Sequence, residues 1–294
     1  MPPVNFKSLM PNRYSFLLLK AGEQNPSVRI GVVAVEGGGT GLENDVKDRD
    51  RSNEFGIKDS PHISWIHVPG DPRHHYIASL DWNGPKELVF QRLNRLQNTV
   101  HVVIAEPTTG KIRIAFTDRD EAWLDLQSAA WYGEESSGIR FLRGGKQFLW
   151  LSERNGWRQL FLVNIDGPCS PLTPPSFDVT EIAGVDELDG FAYYIASPND
   201  PLRRYLFRTS LKLSEGKAVQ SIASQERITP ASMPGTHSYR FSRDGKYAIH
   251  SYSTACLPET TDIVRLPDHD TVAVLADNAD LRDRILKGNL PKPE

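Results

Sequence analysis

Four turn dipeptides, Asn83-Gly84, Gly144-Gly145, Asp189-Gly190 and Asp244-Gly245, recur along this chain at intervals of roughly 45 to 60 residues. Each is followed by an apolar run, namely Leu88 to Phe90, Phe148 to Leu151, Phe191 to Ala196 and Tyr247 to Tyr252. Such pairs tolerate the positive backbone φ that a tight hairpin needs, so each marks a strand, a turn and a second antiparallel strand. Strands of about five or six residues plus their turns fill the repeat with four strands. An all-strand repeat of that length reads as a β-propeller blade. The predicted fold class is therefore all-β, with about four complete four-stranded antiparallel blades.

The unit is clearest between Gly138 and Gly167. An apolar run from Gln147 to Ser152 is followed by the turn Glu153-Arg154-Asn155-Gly156, and a second run from Trp157 to Ile165 is closed by Asp166-Gly167. Five runs make a fuller unit upstream: His62 to Val68, Tyr76 to Trp82, Glu87 to Leu93, Val100 to Glu106 and Lys111 to Thr117. Further upstream, Tyr14 to Lys20 and Val28 to Glu36 read as strands of a partial fifth blade. Residues 1–13, with Pro2, Pro3 and Pro11, are expected to be a disordered start. Residues 37–60 carry few apolar side chains to offset their ordering entropy and are expected to form a surface loop.

With 294 residues the chain is long enough to bury a substantial core. Its 34 basic and 37 acidic residues give a formal charge of -3, which offers no electrostatic case for nucleic acid or anionic lipid. Cys169 and Cys256 lie far apart and in no ligand spacing, so both read as free thiols. The apolar patch from Tyr14 to Leu19 is too short for a signal peptide or a membrane segment, and the compartment stays open. Gly37-Gly38-Gly39-Thr40-Gly41 lacks the Lys-Ser/Thr of a phosphate loop. His74 and His75 are adjacent, so on a strand they point to opposite faces; they read as surface polar residues rather than metal ligands. No metal and no cofactor is expected.

Phe148 to Arg158, FLWLSERNGWR, continuing to Leu160-Phe161-Leu162 and Asp166-Gly167, resembles the hallmark strand pair in the propeller domain of the dipeptidyl peptidase IV-like serine peptidases. Three further stretches resemble the same family in the same order. They are Lys20-Ala21-Gly22 with Asn25-Pro26 and Val28 to Val33; Gln91-Arg92-Leu93-Asn94-Arg95-Leu96-Gln97-Asn98; and Phe241-Ser242-Arg243-Asp244-Gly245-Lys246-Tyr247. Val274 to Leu281 is similar to the run in which these propellers return the chain toward the peptidase domain. The resemblance implies that residues 1–290 are the C-terminal part of an incomplete eight-bladed propeller and that residues 291–294 lead toward an α/β-hydrolase domain. Gln91, Arg92, Asn94, Arg95, Glu153, Arg154, Trp157 and Arg158 are then family-motif residues with structural roles, the arginines at 154 and 158 pairing with carboxylates between blades.

Catalysis in that family needs a Ser nucleophile on a G-x-S-x-G turn with Asp and His partners. These 294 residues contain no G-x-S-x-G, so no catalytic residue is assigned. The family's adjacent glutamates, which hold the substrate amino group, fall upstream of the turn matched at Lys20, where this chain has no Glu; Glu134-Glu135 lies downstream and is no substitute. Trp131 and Tyr132 fall in a loop that runs near the substrate cleft in the family, which makes them candidate peptide-lining residues. The resemblance thus implies a non-catalytic propeller that gates and presents peptide substrates to a hydrolase domain. The alternative is a free-standing propeller-like module that binds a protein or peptide. Open blade faces make self-association a further expectation.

Overall fold

The computed structural model describes residues 25–33, 63–126, 139–212 and 225–288. A two-stranded antiparallel pair, β1 (Ile30–Val33) and β2 (Ile63–Ile66), comes first. Four four-stranded antiparallel sheets follow, each built from strands consecutive in sequence. The first holds β3 (His75–Asn83), β4 (Glu87–Asn94), β5 (Thr99–Ala105) and β6 (Ile112–Arg119). The second holds β7 (Arg140–Leu142), β8 (Gln147–Ser152), β9 (Gln159–Asn164) and β10 (Cys169–Pro171). The third holds β11 (Val179–Asp186), β12 (Phe191–Ala196), β13 (Tyr205–Ser210) and β14 (Glu226–Arg227). The fourth holds β15 (Thr236–Phe241), β16 (Tyr247–Thr254), β17 (Leu257–Arg265) and β18 (Asp270–Ala276), and the helix α1 (Ala279–Lys287) follows it.

All four recurrent turn dipeptides sit between the first and second strands of these sheets, where Gly84, Gly145, Gly190 and Gly245 take positive φ. One boundary differs from the sequence reading. The run at 62–68 was grouped with the sheet that follows it, whereas β2 pairs with β1 across residues 34–62. Antiparallel pairing is set by register and by the face a strand can bury, which nearness in sequence does not reveal.

The central strands of the first three sheets are apolar on both faces, those of the fourth bury mainly one, and the period-2 alternation sends successive side chains to different neighbours. Leu88 and Phe90 of β4 pack with Ile30 and Ile66, while Val89 and Leu93 of the same strand pack with Phe148 and Trp150. Leu160 and Leu162 then join Tyr194 and Phe207, and Tyr193 and Ile195 join Tyr239 and Val264. One apolar layer therefore fills each seam between consecutive sheets, as in the packed blades of a partial β-propeller. Full burial of each such Leu or Phe contributes roughly 1.5–3 kcal/mol.

Polar ties between neighbouring turns lie along the same seams. Arg113 Nη1 lies 2.9 Å from Asp166 Oδ2, joining the first sheet to the second. Lys246 Nζ lies 2.7 Å from Asp186 Oδ2 and 2.6 Å from Asp189 Oδ2, joining the fourth sheet to the third. On the two flanking sheets, Ile63 and Trp65 at one end and Tyr247, Ile249 and Val274 at the other are exposed. His75 corrects the expectation of a surface histidine: it opens β3 and is buried, while His74 just before it is exposed. His74 belongs to the bend that leads into the strand, while His75, the first strand residue, directs its ring to the covered side.

Candidate functional site

The FLWLSERNGWR stretch folds as β8, the β8–β9 turn and the start of β9, and the turn leans on the last strand of the first sheet. Gly156 supplies the positive φ of 86° that closes the turn, and its N–H donates to the Glu153 carbonyl at 2.7 Å. Arg154, thus lifted over the edge of its own sheet, places Nη2 2.7 Å from Asp118 Oδ1 on β6. The other oxygen of Asp118 accepts the indole N–H of Trp150 at 2.7 Å. Asp118 is only 2% exposed, so both its oxygens are matched where water does not reach. The Arg154 guanidinium lies 5.1 Å from the Phe116 ring and 5.2 Å from the Phe161 ring, which shield the pair, and its Nε donates to Ser152 Oγ at 3.1 Å.

Arg158 extends the same join. Its Nη1 lies 3.1 Å from Asp125 Oδ2 in the segment after β6, and its backbone N–H donates to Asp178 Oδ1 at 2.8 Å. Beside Arg158 a small cleft is lined by Asp118, Asp120, Asp125, Trp123, Glu153 and Arg158 among others. Its space is about 10 Å³, room for a single water, and Asp118 and Asp125 in its wall are already paired with Arg154 and Arg158. Glu153 and Trp157 are solvent-exposed at its rim. Trp131 and Tyr132 lie outside the described residues, in the segment that continues from Leu126.

The second motif is a turn of its own. The Asn94 side-chain carbonyl accepts the backbone N–H groups of Asn98 and Thr99, both at 3.0 Å, and Gln97 takes a φ of 59°. Asn is favoured there because its short amide satisfies the turn's own backbone. Arg92 donates to the Pro69 carbonyl at 2.7 Å, and Arg95 lies over the Tyr76 ring at 5.7 Å. Gln91 is buried within β4. Asn25, from the upstream motif, donates to Tyr76 Oη at 3.0 Å and to the Arg73 carbonyl at 3.2 Å, so the two motifs meet around Tyr76.

Sequence reasoning missed a polar cluster in the fourth sheet in which the buried His237, His250 and His269 meet the half-buried Asp262. Burial pushes His237 down to about 4 and holds His269 below the ordinary histidine range. These residues are far apart in sequence and in no ligand spacing, so only the strand register brings them together.

Consecutive four-stranded sheets joined by apolar seams, with turn-borne arginines crossing to the neighbouring sheet, define a β-propeller segment. The family model of the dipeptidyl peptidase IV (DPP IV) N-terminal region matches residues 10–259, and the chain belongs to that family. A probable dipeptidyl peptidase 4 of Emericella nidulans is 26% identical over 229 residues, covering 75% of this chain and 28% of the relative. The inactive dipeptidyl peptidase 10 of Mus musculus is 26% identical over 212 residues, covering 69% of this chain and 23% of the relative. The crystal structure of Porphyromonas gingivalis dipeptidyl peptidase 4 shares the fold, with a TM-score of 0.63 and 24% identity over 76% of this chain and 29% of that one. The chain thus spans less than a third of the length of the relatives it matches.

Proposed function

We propose that this chain is the propeller portion of a dipeptidyl peptidase IV-like serine peptidase, and that it gates and presents peptide substrate to an α/β-hydrolase domain. The observation that carries the reading is the family match over residues 10–259, within which the motif turns form the seam between the first two sheets. Presentation falls to the segment beyond Leu126, whose sequence carries the aromatic residues Trp131 and Tyr132. The chain itself carries no nucleophile. Its arginines at 154 and 158 hold the cleft walls in place instead of touching substrate.

The test is hydrolysis of a chromogenic Gly-Pro or Ala-Pro substrate by the purified 294-residue chain, with a serine-directed inhibitor as control, paired with binding of a fluorescent Ala-Pro peptide. Saturable binding without turnover is expected. Inhibitor-sensitive turnover, or no binding at all, would overturn the reading. A second reading is favoured by the relative named inactive dipeptidyl peptidase 10: a non-catalytic module that binds a protein through its blade surface. That reading predicts a protein ligand and no preference for peptides with a free amino terminus.

A further inference from the structure

His250 on β16 pairs in register with Asp262 on β17 and lies diagonal to His237 on β15. Three short contacts link them into a chain. Asp262 Oδ1 is 2.8 Å from His250 Nδ1, His250 Nε2 is 2.8 Å from His237 Nδ1, and His237 Nε2 is 2.9 Å from the Met233 carbonyl oxygen. Each of these contacts needs one proton to be a hydrogen bond. A carboxylate at one end and a backbone carbonyl at the other can only accept. Two neutral imidazoles bring two protons for three bonds. With only those two, some pair of bare lone pairs would face each other at about 2.8 Å in a site where His237 and His250 are 2% and 1% exposed.

A second chain in the same seam has no such shortfall. The Leu206 N–H donates to Thr229 Oγ1 at 2.8 Å, that hydroxyl meets Tyr239 Oη at 3.0 Å, and Tyr239 Oη meets His269 Nε2 at 2.8 Å. Each hydroxyl passes its proton along, and the chain ends on the lone pair of a neutral His269. The two chains are neighbours, and only the first is one proton short.

The groups around the first chain decide where an added proton rests. Arg227 of the third sheet covers the Tyr205 ring at 3.7 Å, Tyr205 lies 5.8 Å from His237, and this positive side opposes charge on His237. Tyr252 stacks on His237 at 4.7 Å and Tyr239 on His250 at 4.7 Å. His269 meets His250 edge-on at 4.8 Å. Among the described residues, Asp262 supplies the carboxylate hydrogen-bonded to the rings, and its Oδ2 also accepts the Thr271 hydroxyl at 2.9 Å. Burial outweighs the Asp262 carboxylate and holds the His250 ring alone below the ordinary histidine range, so the added proton belongs to the hydrogen-bonded pair and not to the imidazole by itself.

We propose that the His237–His250–Asp262 chain is a proton-binding site, which holds one proton between His250 and Asp262 beyond the two of its neutral rings, and that this proton makes the seam between the third and fourth sheets pH-responsive. This goes beyond the peptidase reading and does not depend on it. The sign follows from linkage. The folded chain keeps a proton that ordinary histidines, with pKa about 6.5, release on unfolding, so this contribution is full below about 6.5 and is lost as pH rises through the folded value. One proton corresponds to about a tenfold fall in the folding equilibrium constant per pH unit between about 6.5 and the folded value, and to no further fall above it.

Asp262→Asn tests this, because the amide keeps the shape while its N–H supplies the missing proton to His250 Nδ1 and its oxygen still accepts from Thr271. Burial raises the Cys169 thiol to about 11 and adds a fall in stability toward pH 9 in every variant, so urea unfolding of the whole chain between pH 7 and 9 should show a slope in the wild type that exceeds that of Asp262→Asn by close to one proton. Equal slopes would overturn the proposal. His269→Gln, whose side-chain oxygen can still accept from Tyr239, should keep the wild-type slope; its loss there would assign the proton to the other chain and also overturn it. Should Asp262→Asn fail to fold, ring-15N and carboxyl-13C spectra of the wild type at pH 7.5 decide. A doubly protonated His250 or a protonated Asp262 supports the site, and a singly protonated His250 beside an ionised Asp262 refutes it.

Discussion

Arg154 and Asp118 lie 36 residues apart in sequence and 2.7 Å apart in space, one on the β8–β9 turn and the other near the end of β6. The same aspartate holds the Trp150 indole, so a single buried carboxylate secures the motif turn of the second sheet to the edge of the first.

Removing that carboxylate should be among the more damaging single changes in the chain. Asp118→Ala leaves the buried Trp150 indole N–H without its acceptor and takes the carboxylate from an Arg154 side chain that is partly open to water, and the expected loss is about 2 kcal/mol in urea unfolding. Asp118→Asn keeps an acceptor but loses the charge, and should lose about half as much. Equal, small effects from both would show that the pair contributes little to the seam.

Two turn glycines separate backbone strain from steric exclusion. Gly84 and Gly245 both take a φ of 73°, yet a Cβ on Gly84 meets nothing within 4 Å while one on Gly245 would sit 2.6 Å from the Val185 carbonyl oxygen. Gly84→Ala should cost about 1 kcal/mol from the left-handed conformation alone. Gly245→Ala should cost about 2–4 kcal/mol, because Val185 is backbone and cannot yield cheaply. Midpoints of thermal unfolding for the two variants, measured side by side, check the order.

On the acid side the sign reverses from that of the proposed shared proton. His237, pushed down to about 4 by burial, must stay neutral in the folded chain but takes up a proton near 6.5 when unfolded. Its contribution is therefore full above about 6.5 and disappears as pH falls toward about 4, a loss on the order of 3 kcal/mol. His269 acts in the same direction. Unfolding free energies at pH 7 and pH 4.5 should show the drop, and His237→Gln should reduce it.

Peptide binding should depend on aromatic surface in the segment after Leu126. Trp131→Ala or Tyr132→Ala is expected to weaken binding of a fluorescent Ala-Pro peptide by roughly fivefold, about 1 kcal/mol. Anisotropy titration checks it; an unchanged affinity would move the peptide surface elsewhere on the chain.

What can be read from the sequence here is what is local. A Gly in a left-handed turn and a period-2 apolar run are decided by a few neighbouring residues, so the four hairpin turns and most of the strands are visible from composition and order alone. The motif around Arg154 is visible for the same reason, since its turn is closed by Gly156 within the stretch itself. Only the tertiary structure decides which sheet receives a strand and which faces meet. It gives β2 to β1 instead of to β3, and it turns His75 inward while His74 faces solvent. Residues 279–287 belong to a stretch legible only as the chain's exit from the blades, yet they form a helix without a buried side chain. The chain from Asp262 through His250 and His237 to Met233 has no local signature either. Its bonds run across strands, and cross-strand neighbours are fixed by register, a property of the assembled sheet and not of any one segment.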